Sequence, residues 1–122
     1  MILVDTSVWI DFLRADDLQL AGLLEAASVC MHPMVLGELA CGNLKNREQL
    51  LTLWRKLPKV IEASHDEALY FLEHNALSGK GIGFVDLHLL ASTALTESTF
   101  LWTRDKRLYL IAVALNIAYS PS

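Results

Sequence analysis

Four carboxylates in this 122-residue chain stand where a charge is costly. Asp5 ends the apolar run Ile2, Leu3, Val4. Asp105 follows another, in "LWTRDKRL". Asp86 opens the apolar segment "GFVDLHLLAS", and Glu38 lies inside "PMVLGELACG". A carboxylate against apolar chain must be solvated, capped or liganded. Taken singly, Asp5, Asp86 and Asp105 each have a plain explanation as helix caps or first-turn residues. Glu38, at helical spacing, shares a side with Met34, Val35 and Cys41, and its plain alternative is to snorkel to solvent. Taken together they suggest more. Four acids in one pocket would repel and raise one another's pKa, which a divalent cation relieves. An all-oxygen donor set favours Mg²⁺ or Mn²⁺ over zinc. Thr6, Ser7 and Thr103 place hydroxyls beside two of the acids, suited to orienting them or to holding water. Arg104, Lys106 and Arg107 flank Asp105 and are candidates for holding phosphates. A solvated helix start is their plain alternative.

The elements that must position these residues follow from periodicity and punctuation. Short apolar runs predict strands over 2–5, 28–31, 60–61, 99–102 and 117–119. Spacing near 3.6 predicts helices over 7–14, 18–27, 33–42, 47–56, 65–77, 85–95 and 106–115. Pro33 suits a first helical turn and Gly42 a helix end. Strands alternating with helices predict βα units, a short parallel sheet and helices on both of its faces. In such a sheet the carboxyl ends of the strands share one edge, where ligands bind near the reversal of strand order. Asp5 and Asp105 fall on that edge.

Composition bounds the function. Apolar residues make up 53% of the chain, enough for a buried core in a single domain over 1–122. The formal charge of −4 argues against a general polyanion-binding surface. Setting the four acids aside brings the charge to neutral, so a local basic patch beside an acidic pocket is compatible with it. The N-terminus lacks the basic region of a signal peptide. Residues 108–122 are uncharged but short of the ~20 needed to span a bilayer. Cys30 and Cys41 form no CxxC pair and are expected to be reduced core thiols of a cytoplasmic protein. "SGKGIG" lacks the GxxxxGK[ST] pattern and reads as a turn into the Asp86 helix. The four histidines show no paired metal spacing, and Ser7 has no triad partners.

The segments "ILVDTSVWIDFLR", "HPMVLGELACG", "GIGFVDLHLLAS" and "LWTRDKRL" resemble the four blocks of PIN-domain ribonucleases, and among them the VapC-type toxins of bacterial toxin–antitoxin pairs. The resemblance spans nearly the whole chain, in that family's order, with every acidic position kept. It implies a three-layer α/β/α sandwich and a Mg²⁺- or Mn²⁺-dependent endoribonuclease acting on tRNA or rRNA, with Asp5, Glu38, Asp86 and Asp105 as catalytic metal ligands. It also implies a homodimer and a VapB-type antitoxin whose C-terminal segment blocks the site. An acidic pocket is itself a socket for a guanidinium, so that segment is expected to place an arginine against the acids, with Trp9, Phe12 and Leu36 as candidate apolar anchors. Two other functions compete. A DNA-directed flap nuclease would want further helices for threading DNA. A catalytically silent PIN-like binding module would be expected to have lost an acid.

Overall fold

The computed structural model describes residues 1–121. Its centre is β1 (Ile2–Val4), whose three residues are all buried. Successive strand side chains point to opposite faces, so a strand buried throughout is covered on both. β2 (Val29–Cys30) and β3 (Phe100–Trp102) pair with it in parallel, in the order β2-β1-β3. The register sets Leu3 opposite Cys30 and Leu101, and Val4 opposite Trp102. The first strand in sequence is thus the middle one in space. The chain winds one way to β2 and the other way to β3, so strand order reverses at β1.

Among the described residues seven helices complete the α/β/α sandwich: α1 (Thr6–Ala15), α2 (Leu18–Glu25), α3 (Pro33–Ala40), α4 (Arg47–Lys56), α5 (His65–His74), α6 (Phe84–Leu95) and α7 (Lys106–Ala114). α1 packs on α3 and α3 on α4, while α5 packs on α6 and α6 lies against β3. The core joins Leu3, Val4, Trp9, Leu20, Trp54, Leu89, Leu90, Leu101 and Leu108. α6 is its most enclosed helix: every residue from Leu87 to Thr93 is buried.

The predicted elements are all recognisable, with three corrections. The outer strands expected over 60–61 and 117–119 are single parallel bridges, Met31 with Lys59 and Leu101 with Ala118. Of the apolar pair only Val60 enters the core, Ile61 is exposed, and the pairing residue is the preceding Lys59, because pairing is decided by backbone phase. The helix expected over 65–77 ends at His74, where Asn75 caps and Ala76 takes a positive φ of 52°. Cys30 is buried as expected, but Cys41 is exposed, because it is the residue that caps the end of α3.

Candidate active site

The reversal of strand order opens the sheet edge at the ends of β1 and β3. Asp5 follows β1 directly, and its backbone N–H donates to the Trp102 carbonyl at 2.9 Å. The ends of the two strands therefore lie side by side. Asp5 is buried, with 7% of its surface exposed, and its carboxylate accepts three hydrogen bonds. Oδ1 accepts from the Thr6 N–H at 2.8 Å, which caps α1. Oδ2 accepts from the Ser7 hydroxyl at 2.8 Å and from the Thr103 hydroxyl at 2.7 Å. Thr103 in turn accepts from the Asp105 N–H at 3.1 Å. Asp105 also caps α7 through the Leu108 N–H at 3.0 Å, so the plain expectation of a helix cap holds for both aspartates.

Glu38 reaches the same place from α3. Its carboxylate accepts from the Thr6 hydroxyl at 2.6 Å, one residue from Asp5. It is exposed, as snorkelling predicts, but it snorkels toward the sheet edge. His32 sets the start of this helix: its Nδ1 accepts from the Met34 N–H at 3.0 Å, while Nε2 lies 3.2 Å from the Ser92 hydroxyl. An imidazole capping through Nδ1 carries its proton on Nε2. Burial accordingly lowers the His32 pKa below its ordinary 6.5.

Asp86, in the first turn of α6, feels the charge of the other three acids. Its pKa is raised from 3.8 to about 6, first by burial, then by the negative charge of Asp5, with smaller contributions from Asp105 and Glu38. The Gly83 backbone N–H opposes the shift by donating to the carboxylate. That donor was not legible in the sequence, although a glycine three residues ahead of an acid at a helix start is its signal.

The donor set suits a hard divalent cation in chemistry: four oxygen ligands, one of them destabilised as an anion by the other three. Among the described residues no three His, Cys, Asp or Glu side chains are disposed to grip an ion as they stand. The hydroxyls of Thr6, Ser7 and Thr103 engage the carboxylates of Asp5 and Glu38.

The basic candidates differ in placement. Arg104 is engaged: its Nε lies 2.6 Å from Asp11 and its Nη2 2.6 Å from Asp17, with the guanidinium 5.7 Å from the centre of the Trp102 ring. Arg107 lies across the α5–α6 loop, close enough to Gly81 that a Cβ there would sit 2.9 Å from its side chain. Lys106 is exposed at the start of α7. Beside Glu38 runs a groove of about 860 Å³ between α1, α3 and α4, lined by Ile10, Leu13, Arg14, Lys45 and Leu53 among others. Of the expected apolar anchors, Trp9 is only 1% exposed and belongs to the core. Its neighbours Ile10 and Leu13 line the groove instead.

A short parallel sheet whose reversal point gathers four acids is the architecture of the PIN domain, and the chain belongs to that family: the family's model matches residues 2–114. Among known proteins it is similar to Ribonuclease VapC32 of Mycobacterium tuberculosis, with 48% identity over 108 residues, 88% of this chain and 87% of that protein. The match is the same in strains CDC 1551 / Oshkosh and ATCC 25618 / H37Rv. The crystal structure of FitAcB from Neisseria gonorrhoeae contains a chain of the same fold, with a TM-score of 0.67 over 99% of this chain and 98% of that one at 18% identity.

Proposed function

We propose that this chain is a Mg²⁺- or Mn²⁺-dependent endoribonuclease, the toxin of a type II toxin–antitoxin pair, acting on tRNA or rRNA in the cytoplasm. The observation that carries the reading is the electrostatic coupling of Asp86 to Asp5, Asp105 and Glu38 at the sheet's reversal point. Similarity to Ribonuclease VapC32 supports the choice of RNA. Asp5, Asp86 and Asp105 would hold the cation, with Glu38 as a further ligand or as the group orienting the attacking water. Such a cation supplies a water of lowered pKa and positive charge against the scissile phosphate.

The chain's own residues do the rest. Ser7 and Thr103 fix the rotamer of Asp5 by donating to Oδ2 from two sides. Thr6 steers Glu38 toward the same point. Lys106 and Arg107, both exposed, would meet RNA phosphates beyond Asp105. A VapB-type antitoxin would enter the groove beside Glu38 with Ile10 and Leu13 as apolar anchors, its arginine meeting the acids. A guanidinium can fork across two carboxylates, so it would compete with the cation. We further propose that the chain works as a homodimer.

Incubation of the purified protein with tRNA and rRNA, with Mg²⁺, Mn²⁺ or chelator, tests the reading. Cleavage should need the metal and vanish in Asp5→Asn, whose fold should persist. Metal-independent cleavage, or wild-type activity in a folded Asp5→Asn protein, would overturn it.

A further inference from the structure

Arg104 lies between Thr103 and Asp105, two residues whose groups already face the acidic pocket. Its own backbone N–H donates to the Ser7 hydroxyl at 3.1 Å, and that hydroxyl donates to Asp5. Its side chain leaves the pocket altogether. The guanidinium fork spans Asp11, one turn after Ser7 on α1, and Asp17, the cap of α2. Asp17 divides its carboxylate: Oδ1 accepts from the Gln19 and Leu20 N–H groups, and Oδ2 faces Arg104. Trp102 lies beneath the fork. The loop carrying Thr103 and Asp105 is thus tied to α1 at two levels, by the backbone of Arg104 to Ser7 and by its side chain to Asp11.

We propose that Arg104 is a positioning residue of the metal centre and not an RNA phosphate contact. Its pairing with Asp11 and Asp17 sets the distance between the β3–α7 loop and α1, and so the relative placement of Asp105 and Asp5. Exposed ion pairs add little to the stability of a fold. Groups that orient ligands nevertheless change metal affinity by ~10–100-fold, and small misplacements cost catalysis heavily. The arrangement also needs both nitrogens of a rigid fork, which lysine lacks. The inference rests on the four acids forming a metal centre, as proposed above.

The test uses the full chain in five forms: wild type, Arg104→Ala, Arg104→Lys, the pair Asp11→Asn with Asp17→Asn, and that pair combined with Arg104→Ala. Asparagine at 17 keeps an oxygen for capping α2. Mn²⁺ affinity is measured by calorimetry without RNA, kcat and KM on RNA, and Tm for the fold. All four variants should lose ~10-fold or more in Mn²⁺ affinity. kcat should fall while KM for RNA stays within about 2-fold. Adding Arg104→Ala to the aspartate pair should cost nothing further, as expected for groups acting as one unit. The opposite pattern identifies a phosphate contact and overturns the inference: Arg104→Lys near wild type, Arg104→Ala raised in KM alone, and the aspartate pair lowered in KM because the arginine is freed. Unchanged Mn²⁺ affinity across the series also overturns it. A wild-type protein that binds Mn²⁺ but cuts no RNA refutes the ribonuclease reading while the Mn²⁺ series still decides the role of Arg104. A wild type that binds no Mn²⁺ overturns both.

Discussion

Asp86→Asn should stabilise the metal-free protein at neutral pH while abolishing its activity. The folded-state pKa of Asp86 is raised from 3.8 to about 6. A raised carboxyl pKa favours folding only while the group is protonated, so its contribution is intact below pH 3.8 and is lost as pH rises through about 6. Above that point the folded state holds an anion that it disfavours. A shift of about two units corresponds to ~3 kcal/mol at most. Asp86 is only half-buried, and solvent screening reduces the figure to ~1–2 kcal/mol. For a domain of this size ~1 kcal/mol moves Tm by about 4 °C. Asparagine is nearly isosteric and its carbonyl can still accept from the Gly83 N–H. The variant should therefore melt ~4–8 °C above wild type at pH 7.5 in chelator, and the gap should close as pH falls toward 4. Added Mn²⁺ should raise the wild-type Tm more than that of the variant, since only a ligand bound to the folded state stabilises it. Thermal unfolding from pH 4 to 7.5, with chelator and with Mn²⁺, measures all of this. A gap that does not change with pH would refute the electrostatic origin of the strain.

Four further outcomes are expected. Glu38→Gln should lower the cleavage rate by ~10²-fold or more if the residue serves the site, and a silent change in a kinetic assay would return it to the surface. His32→Asn keeps a cap acceptor but cannot titrate. The depressed His32 pKa gives stability that is present above pH 6.5 and lost as pH falls below it, so denaturant midpoints between pH 5 and 7.5 should slope less in the variant. Maleimide should label the native protein once, at Cys41, because Cys30 is buried and its thiol pKa is pushed up to about 11; mass spectrometry after digestion reads the site. Gly81→Ala should destabilise the fold and displace Arg107, because Gly81 holds φ at +80° and a Cβ there meets that side chain; the denaturation midpoint of Gly81→Ala against wild type measures it.

The acids were legible in the sequence because each put a charge at a place where apolar chain made it conspicuous. Their convergence followed from alternating strands and helices, which send the ends of β1 and β3 to one edge. What stayed hidden was pairing at long range. Nothing near Arg104 in the sequence distinguishes a phosphate ligand from an ion-pair partner, since Asp17 lies 87 residues away. Thr103 was recognisable as a hydroxyl beside an acid, but the acid expected was Asp105 and the one it donates to is Asp5. Cys41 looked buried because its neighbours are apolar, yet it is the residue that caps the end of α3 and it is exposed. Trp9 and Ile10 differ by a single helical step, about 100°, and that step separates the core from the groove.

The central position of β1 has a consequence for the nascent chain. Asp5 receives the Thr103 hydroxyl across 98 residues of sequence, and the N-terminal ammonium of Met1 bonds the Ser98 carbonyl across 97. At ~5–20 residues per second, a ribosome emits the first of these partners roughly 5–20 s before the second. Throughout that interval the middle strand of the sheet is without its β3 neighbour, an open edge that invites chaperones or misassembly. The acidic pocket cannot close until Thr103 and Asp105 have been made, so a protein that cuts RNA would stay inert throughout that stretch of its own synthesis.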